Sequence, residues 1–259
     1  MQYMTIGLKR KVSLILLPID DFTGRIIKGS KLRVYLTENN ISSIRKQDGY
    51  HVFCNLSGSE AEICLEGPLY QKQILRLPIG LEKPKVYPVR MLPGTAYPLP
   101  EGTTIIRGTL PEGGVLKLFT LGQKRAYKLL HDYDPHIQGE SLSLFRSFEM
   151  FLEGKTMCIR DKERQHEFFK ITERKGDICT MEHPLSQTYR KIGTSVYPVY
   201  EITGKEDGEF CLPIKGLSGE EIGGIGFLTM AGKEEKTCEI TLTVGKENRI
   251  TEDMWKEEI

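Results

Sequence analysis

"SKLRVYL", residues 30–36, is the stretch that decides the fold class. Leu32, Val34 and Leu36 alternate with Lys31, Arg33 and Tyr35. An apolar period of two sends one set of side chains to a covered face and the other toward water, which predicts a half-buried β-strand. Working outward, the same pattern recurs. "VSLILLPI" (12–19) precedes it across the loop "DDFTGRIIKG", and "ISSIRKQDGYHVFCNL" (41–56) follows as a hairpin. Asp48-Gly49 supplies that hairpin's turn, because glycine reaches positive φ without a steric penalty. "EAEICLEG" (60–67) places Ile63 and Leu65 on one face, and "KQILRLPI" (72–79) does the same with Leu75 and Leu77. Turn signals at this spacing predict a small β-sandwich.

Asp20, Thr23, Gly24, Ile27, Gly29, Asp48, Gly49, Phe53 and Leu56 fall on the pattern D-x-x-T-G-x-P-I-x-G-A-x-V-x-V followed by D-G-x-[FY]-x-F-x-x-L. Residues 12–79 therefore resemble the carboxypeptidase regulatory-like domain, a transthyretin- or CnaB-like sandwich. Four positions depart from that pattern: Ile26 replaces a proline, Ser30 an alanine and His51 an aromatic, while Tyr70 comes one residue late after Gly67. The resemblance implies a sandwich fold and no particular activity, since such domains serve as accessory modules in many settings. CnaB-type pilin domains carry a Lys-to-Asn isopeptide bond with its Asn or Asp on the final strand. With "KQILRLPI" taken as that strand, the residue needed for the bond is missing.

"GLEKPKVYPVRMLPGTAYPLPEGTT" (80–104) holds Pro84, Pro88, Pro93, Pro98 and Pro100. Prolines fix φ and remove backbone donors, so the stretch reads as a stiff connector, with Tyr87 and Tyr97 packed on a domain face. The predicted organisation is a sandwich at 1–84, a connector at 85–102 and a second β domain at 103–259 that ends in a tail. Strand candidates continue through the second domain, from "TTIIRGTL" to "KTCEITLTV", and "EEIGGIGF" (220–227) reads as a tight turn entering a strand. Leu144, Phe148, Phe151 and Leu152, spaced i, i+4, i+7 and i+8, predict a helix over 141–152. The fold class is thus all-β, an N-terminal immunoglobulin/transthyretin-like β-sandwich followed by a larger β domain with one short inserted helix. "GKEDGEFCLPIKG" (204–216) repeats the Asp-Gly, aromatic and Cys sequence of residues 45–58. Cys54 and Cys211 stand at different offsets from their Asp, so a repeated hairpin is expected with Phe53 and Phe210 entering two cores, and a repeated active site is not.

Thirty-six Lys and Arg against thirty-five Asp and Glu give a formal net charge of +1. That balance argues against a nucleic-acid partner. The apolar run after the basic start is short and meets Asp20-Asp21 at once, unlike a signal peptide, and no stretch has the length of a membrane span. A cytoplasmic protein without membrane contact is expected, with release as part of a particle as the accompanying option. Cys54, Cys64, Cys158, Cys179, Cys211 and Cys238 are scattered singly, as buried reduced thiols are, and no spacing suggests a metal or other cofactor.

Candidate chemistry is sparse. His131, Asp132, Asp134 and His136 combine imidazoles and carboxylates that suit a divalent ion, but Asp134-Pro135 and Gly139 mark a loop. His166-Glu167 is half of a zinc motif without its second His, Ser195 lacks the glycines of a nucleophile elbow, and His51 beside its turn needs only one hydrogen-bond partner. At the C-terminus, Thr251 can cap a helix start, with Met254, Trp255 and Ile259 as the large apolar groups beyond it. Those three are the candidate partner-docking residues, because Trp is a strong interface anchor. The first dozen residues form a candidate arm for a neighbour's sheet edge. The sequence is best matched by a non-catalytic structural or adaptor protein whose partners are other protein subunits, as in a bacterial phage-tail-like contractile injection particle. The alternatives are a carbohydrate- or surface-binding adhesin and a metal-dependent enzyme using the His131–His136 loop.

Overall fold

A computed structural model describes residues 11–79, 85–121, 126–145, 152–204, 208–232 and 235–257. The fold is all-β. The chain divides into two compact units, one of residues up to Tyr97 without Phe22–Gly24, the other of Phe22–Gly24 with Pro98–Ile259.

The first unit holds β1 (Val12–Asp20), β2 (Arg25–Ile26), β3 (Arg33–Leu36), β4 (Ile44–Arg45), β5 (His51–Cys54), β6 (Glu60–Gly67), β7 (Tyr70–Pro78) and β8 (Val86–Met91). One sheet runs β2-β1-β5-β4 with β8 added to β1, and the other runs β3-β6-β7. Their inner faces meet through Leu14 and Leu16 of β1, Phe53 of β5, Val89 and Met91 of β8, Val34 and Leu36 of β3, and Ile63 and Leu65 of β6. Each such fully buried side chain contributes about 1.5–3 kcal/mol. Phe53 is in the core as expected, and Cys54 beside it is half-buried.

Two expectations need correction here. Val86–Met91 is no connector: β8 runs parallel to β1, with Ile15 opposite Val86 through Asp20 opposite Met91. Pro88 is tolerated because β8 is an edge strand, where one side of the backbone has no ladder to satisfy. Gln71 and Gln73 of β7 bond the carbonyls of Pro93 and Arg90 at 3.2 and 2.7 Å, joining the two sheets at that edge. The final strand is therefore β8 and not "KQILRLPI". β8 contains no Asn or Asp.

The second unit holds β9 (Thr104–Thr109), β10 (Val115–Thr120), the short helix α1 (Pro135–Gln138), β11 (Ser141–Ser143), β12 (Thr156–Arg160), β13 (His166–Lys175), β14 (Ile178–Met181), β15 (Ser195–Pro198), β16 (Tyr200–Thr203), β17 (Glu209–Ile214), β18 (Glu221–Thr229), β19 (Lys236–Thr243), β20 (Glu247–Ile250) and β21 (Lys256–Glu257). Its sheets run β17-β9-β20, β16-β10-β18-β19-β21 and β11-β14-β13-β12-β15.

The first two of these sheets repeat the strand order of the first unit. β9 has an antiparallel neighbour, β17, and a parallel one, β20, as β1 has β5 and β8. β10 pairs with β18 and β18 with β19, as β3 pairs with β6 and β6 with β7. On this correspondence β5 and β17 are the same strand, and they are the two strands that follow the repeated Asp-Gly. Gly49 and Gly208 precede them at φ +100° and +69°, while Asp207 lies outside the described residues. Phe210 is buried, the counterpart of Phe53.

The third sheet is an insertion between β10 and β16, with its own core of Leu129, Leu142, Leu144, Met157, Ile159, Ile171, Tyr189 and Val196 among others. The helix expected over 141–152 is corrected in its first part. Ser141–Ser143 is β11, paired with β14, and Leu144 bridges to Leu129. Leu142 and Leu144 are both buried, so the local period is two. Residues 146–151 lie outside the described residues. "EEIGGIGF" is also corrected: Glu221 already begins β18, and Gly223, Gly224 and Gly226 sit within the strand. A side chain at Gly226 would meet Cys238 Sγ at 3.0 Å, Leu116 at 3.3 Å and the Trp255 ring at 3.4 Å.

Candidate functional site

A cleft of about 320 Å³ opens in the second unit where the inserted sheet meets the sandwich sheet. β10 and β16 bring Lys117 and Glu201, which stand directly opposite each other across their ladder. β12 brings Thr156, whose hydroxyl donates to Glu201 Oε2 at 3.3 Å. β13 brings Phe168 and Lys170, and the loop after β14 brings Glu182, His183 and Pro184.

Phe168 is half-buried and its position is fixed by neighbouring rings. It meets Phe227 edge-on at 5.2 Å and His166 at 5.6 Å, and the Lys117 ammonium lies 4.6 Å from its centroid. Below, Phe119 stacks on Tyr197 at 5.2 Å. His166, first residue of β13, packs on Phe227 at 4.6 Å, a structural place rather than half of a metal site.

Glu167 holds the loop wall in place. Its carboxylate accepts from the Ser186 N–H at 2.7 Å, the Ser186 hydroxyl at 2.5 Å, the Gln187 N–H at 2.9 Å and the Tyr189 hydroxyl at 3.1 Å. Tyr133 supports the same loop, accepting the Leu185 N–H at 3.0 Å while donating to the Gly139 carbonyl at 2.6 Å. Burial and the Glu167 charge both raise the Tyr189 phenol, which stays a neutral donor.

The residues nominated from sequence lie elsewhere. Asp134 caps α1, accepting the His136 N–H at 2.9 Å, and Asp132 accepts the Lys191 N–H at 2.7 Å. His131 and His136 are exposed. Among the described residues no three His, Cys, Asp or Glu side chains gather as metal ligands would. Lys128 Nζ donates to Ser195 Oγ at 2.6 Å, but Ser195 is buried at the start of β15. Burial pushes the Cys158 thiol up to about 12 and those of Cys179 and Cys238 to about 11, which keeps them protonated.

Trp255 follows a 3₁₀ turn, Glu252–Met254, in which Thr251 makes no side-chain cap. β21 then pairs with β19, and the half-buried indole lies over Gly226 on its own sandwich. Met254 is half-buried as well, whereas Ile259 and residues 1–10 are outside the described residues. Among the described residues no helix is long and apolar enough to cross a membrane.

In the first unit, the buried Asp20 accepts hydrogen bonds from Tyr97 at 2.6 Å and Tyr70 at 3.1 Å on a single oxygen. Beside it the nearly buried pair Asp21–Arg90 stands 3.8 Å apart. His51 is 3% exposed and its Nδ1 lies 2.8 Å from Ser43 Oγ. Burial first, then the charge of Arg45, lowers its pKa to about 4. Among the described residues Ser43 is the hydrogen-bond partner of the ring.

Neither the cleft nor the Asp20 cluster was legible in the sequence. Their members come from four or more separate strands and loops, and no local motif joins Lys117 to Phe168 or Asp20 to Tyr97.

No protein-family model and no curated protein matches the chain. Among solved structures, a DUF3823 family protein from Bacteroides ovatus is similar at 9% identity, over 91% of this chain and 100% of that one, with a TM-score of 0.25. A protein from Bacteroides uniformis described as a proposed carbohydrate binding protein is 9% identical over 90% of this chain and 98% of that one, with a TM-score of 0.26. The shaft pilin SpaA of Lactobacillus rhamnosus GG is 8% identical over 94% of this chain and 97% of that one, with a TM-score of 0.23.

Proposed function

We propose that the chain is a non-catalytic structural or adaptor protein that works through protein–protein contacts in a larger assembly. The observation that carries this reading is the tandem repetition of one sandwich strand order, with a late strand laid parallel on the first, β8 on β1 and β20 on β9. Such units present sheet faces and edges, and the acids and imidazoles of the His131–His136 loop, the closest thing to a catalytic cluster in the sequence, serve as caps or stand exposed. The contact points we propose include Met254 and Trp255, which keep part of their surface open beside β21, together with Ile259. A phage-tail-like contractile injection particle assembled in the cytoplasm is the proposed setting.

Affinity purification of the full chain from its native cell, followed by mass spectrometry and light scattering, tests the proposal. Stoichiometric protein subunits and a mass well above 29.5 kDa are expected, with sheath, tube or baseplate subunits marking the particle. A 29.5 kDa monomer that retains no subunit would overturn the proposal.

A further inference from the structure

We infer that the cleft between the inserted sheet and the sandwich sheet of the second unit is a binding site for a saccharide one or two rings long. The inference goes beyond the structural role and does not depend on it.

Size and lining chemistry point the same way. About 320 Å³ is at the small end of ligand sites and accommodates a sugar of that length. The lining carries both signs of charge: Lys117 and Lys170 against Glu182 and Glu201, with Glu167 already engaged by the loop it clamps. A lining of mixed sign disfavours a polyanion, which needs a positive excess, and so many charged side chains disfavour a lipid. A ligand dense in hydroxyls meets it well, since every hydroxyl both donates and accepts. Lys117 and Glu201 are directly opposed in register, so an ammonium donor and a carboxylate acceptor stand side by side, the pair that two neighbouring sugar hydroxyls satisfy together. Phe168 and Pro184 add apolar surface for the C–H side of a ring.

The cleft is also organised before any ligand arrives. Glu167 fixes one wall through four hydrogen bonds, and Phe227 and His166 fix Phe168. A site that does not have to order its walls keeps more of its contact energy as affinity.

The test uses the full chain on an array of immobilised neutral and acidic oligosaccharides, with array hits titrated calorimetrically as free disaccharides. Binding of at least one sugar is expected, with a Kd of about 1 mM or tighter. Lys117→Met with Glu201→Gln should weaken it about tenfold or more, because each loses a charged hydrogen-bond partner. Glu182→Gln with His183→Ala alters only exposed loop positions, so folding is retained and a several-fold loss is expected there too. Ile192→Ser, on an exposed turn away from the lining, should leave binding unchanged. Failure of the intact chain to bind any sugar, or binding that neither pair of substitutions weakens, would overturn the inference while leaving the assembly proposal untouched.

Discussion

His51 shows how one residue ties this fold to pH. The folded environment lowers its pKa from 6.5 to about 4, so the fold favours the neutral ring. The stability this brings is complete above about pH 6.5 and is lost as pH falls toward 4, because the unfolded chain takes up the proton first. Urea midpoints at pH 7.5 and 4.5 should therefore lie closer together in His51→Gln than in the parent chain, by the equivalent of about 2 kcal/mol once solvent screening is allowed for. An equal pH response in both would show that His51 is not held neutral. Asp20 makes a second point at this scale. Its oxygen is shared by Tyr97 and Tyr70, so Tyr97→Phe removes the shorter bond, at 2.6 Å, from a buried carboxylate. A loss of about 1–3 kcal/mol in chemical denaturation is expected.

At the scale of elements, glycines and edge strands decide the packing. A Cβ on Gly108 of β9 would stand 2.8 Å from the Ile250 carbonyl oxygen of β20 and 2.7 Å from the Phe210 ring. The carbonyl belongs to backbone and cannot swing aside, so Gly108→Ala should destabilise the second unit by about 1–3 kcal/mol in thermal melts. Gly113→Ala, with open space around it, would lose less through contact and serves as a comparison for the strain of its φ of +71°.

The strands that the sequence revealed are those with clear alternation. β3, β6 and β10 have one apolar set fully covered, and their period of two was readable from that set although Tyr35, Cys64 and Phe119 of the opposite set are buried as well. β8 was missed because Pro88 reads as a breaker, and only tertiary placement at a sheet edge makes it compatible with a strand. β11 was missed for a different reason. In a short apolar run, helix and strand periods overlap, and the choice was made by β14, which needed an antiparallel neighbour for its open edge. The cleft was illegible because ladder register, which sets Lys117 beside Glu201, is not encoded within either strand alone.

For the whole molecule, the chain reads as one sandwich plan used twice, the second time interrupted by a sheet with its own core. The interruption falls between β10 and β16, two strands that remain paired after about 80 intervening residues, as the slow growth of loop-closure cost with length allows. The C-terminal segment belongs to that second sandwich. Trp255 is the only Trp, so its fluorescence reports on the segment without labels. Gly226→Val, which places side-chain atoms where the indole packs, should red-shift the emission and raise acrylamide quenching. An unchanged spectrum would mean that the ring does not rest on β18.

The shared plan rests on a late strand of each sandwich running parallel to its first strand, β8 on β1 and β20 on β9. Hydrogen–deuterium exchange of the full chain reads this for Val86–Met91. The amides of Val86–Met91 that face β1 should be protected far above those of a solvated segment, and the amides of Glu247–Ile250 that face β9 likewise, while those on the open side of each edge strand exchange fast. Exchange of 86–91 at the rate of a solvated connector, while β1 stays protected, would contradict the shared plan.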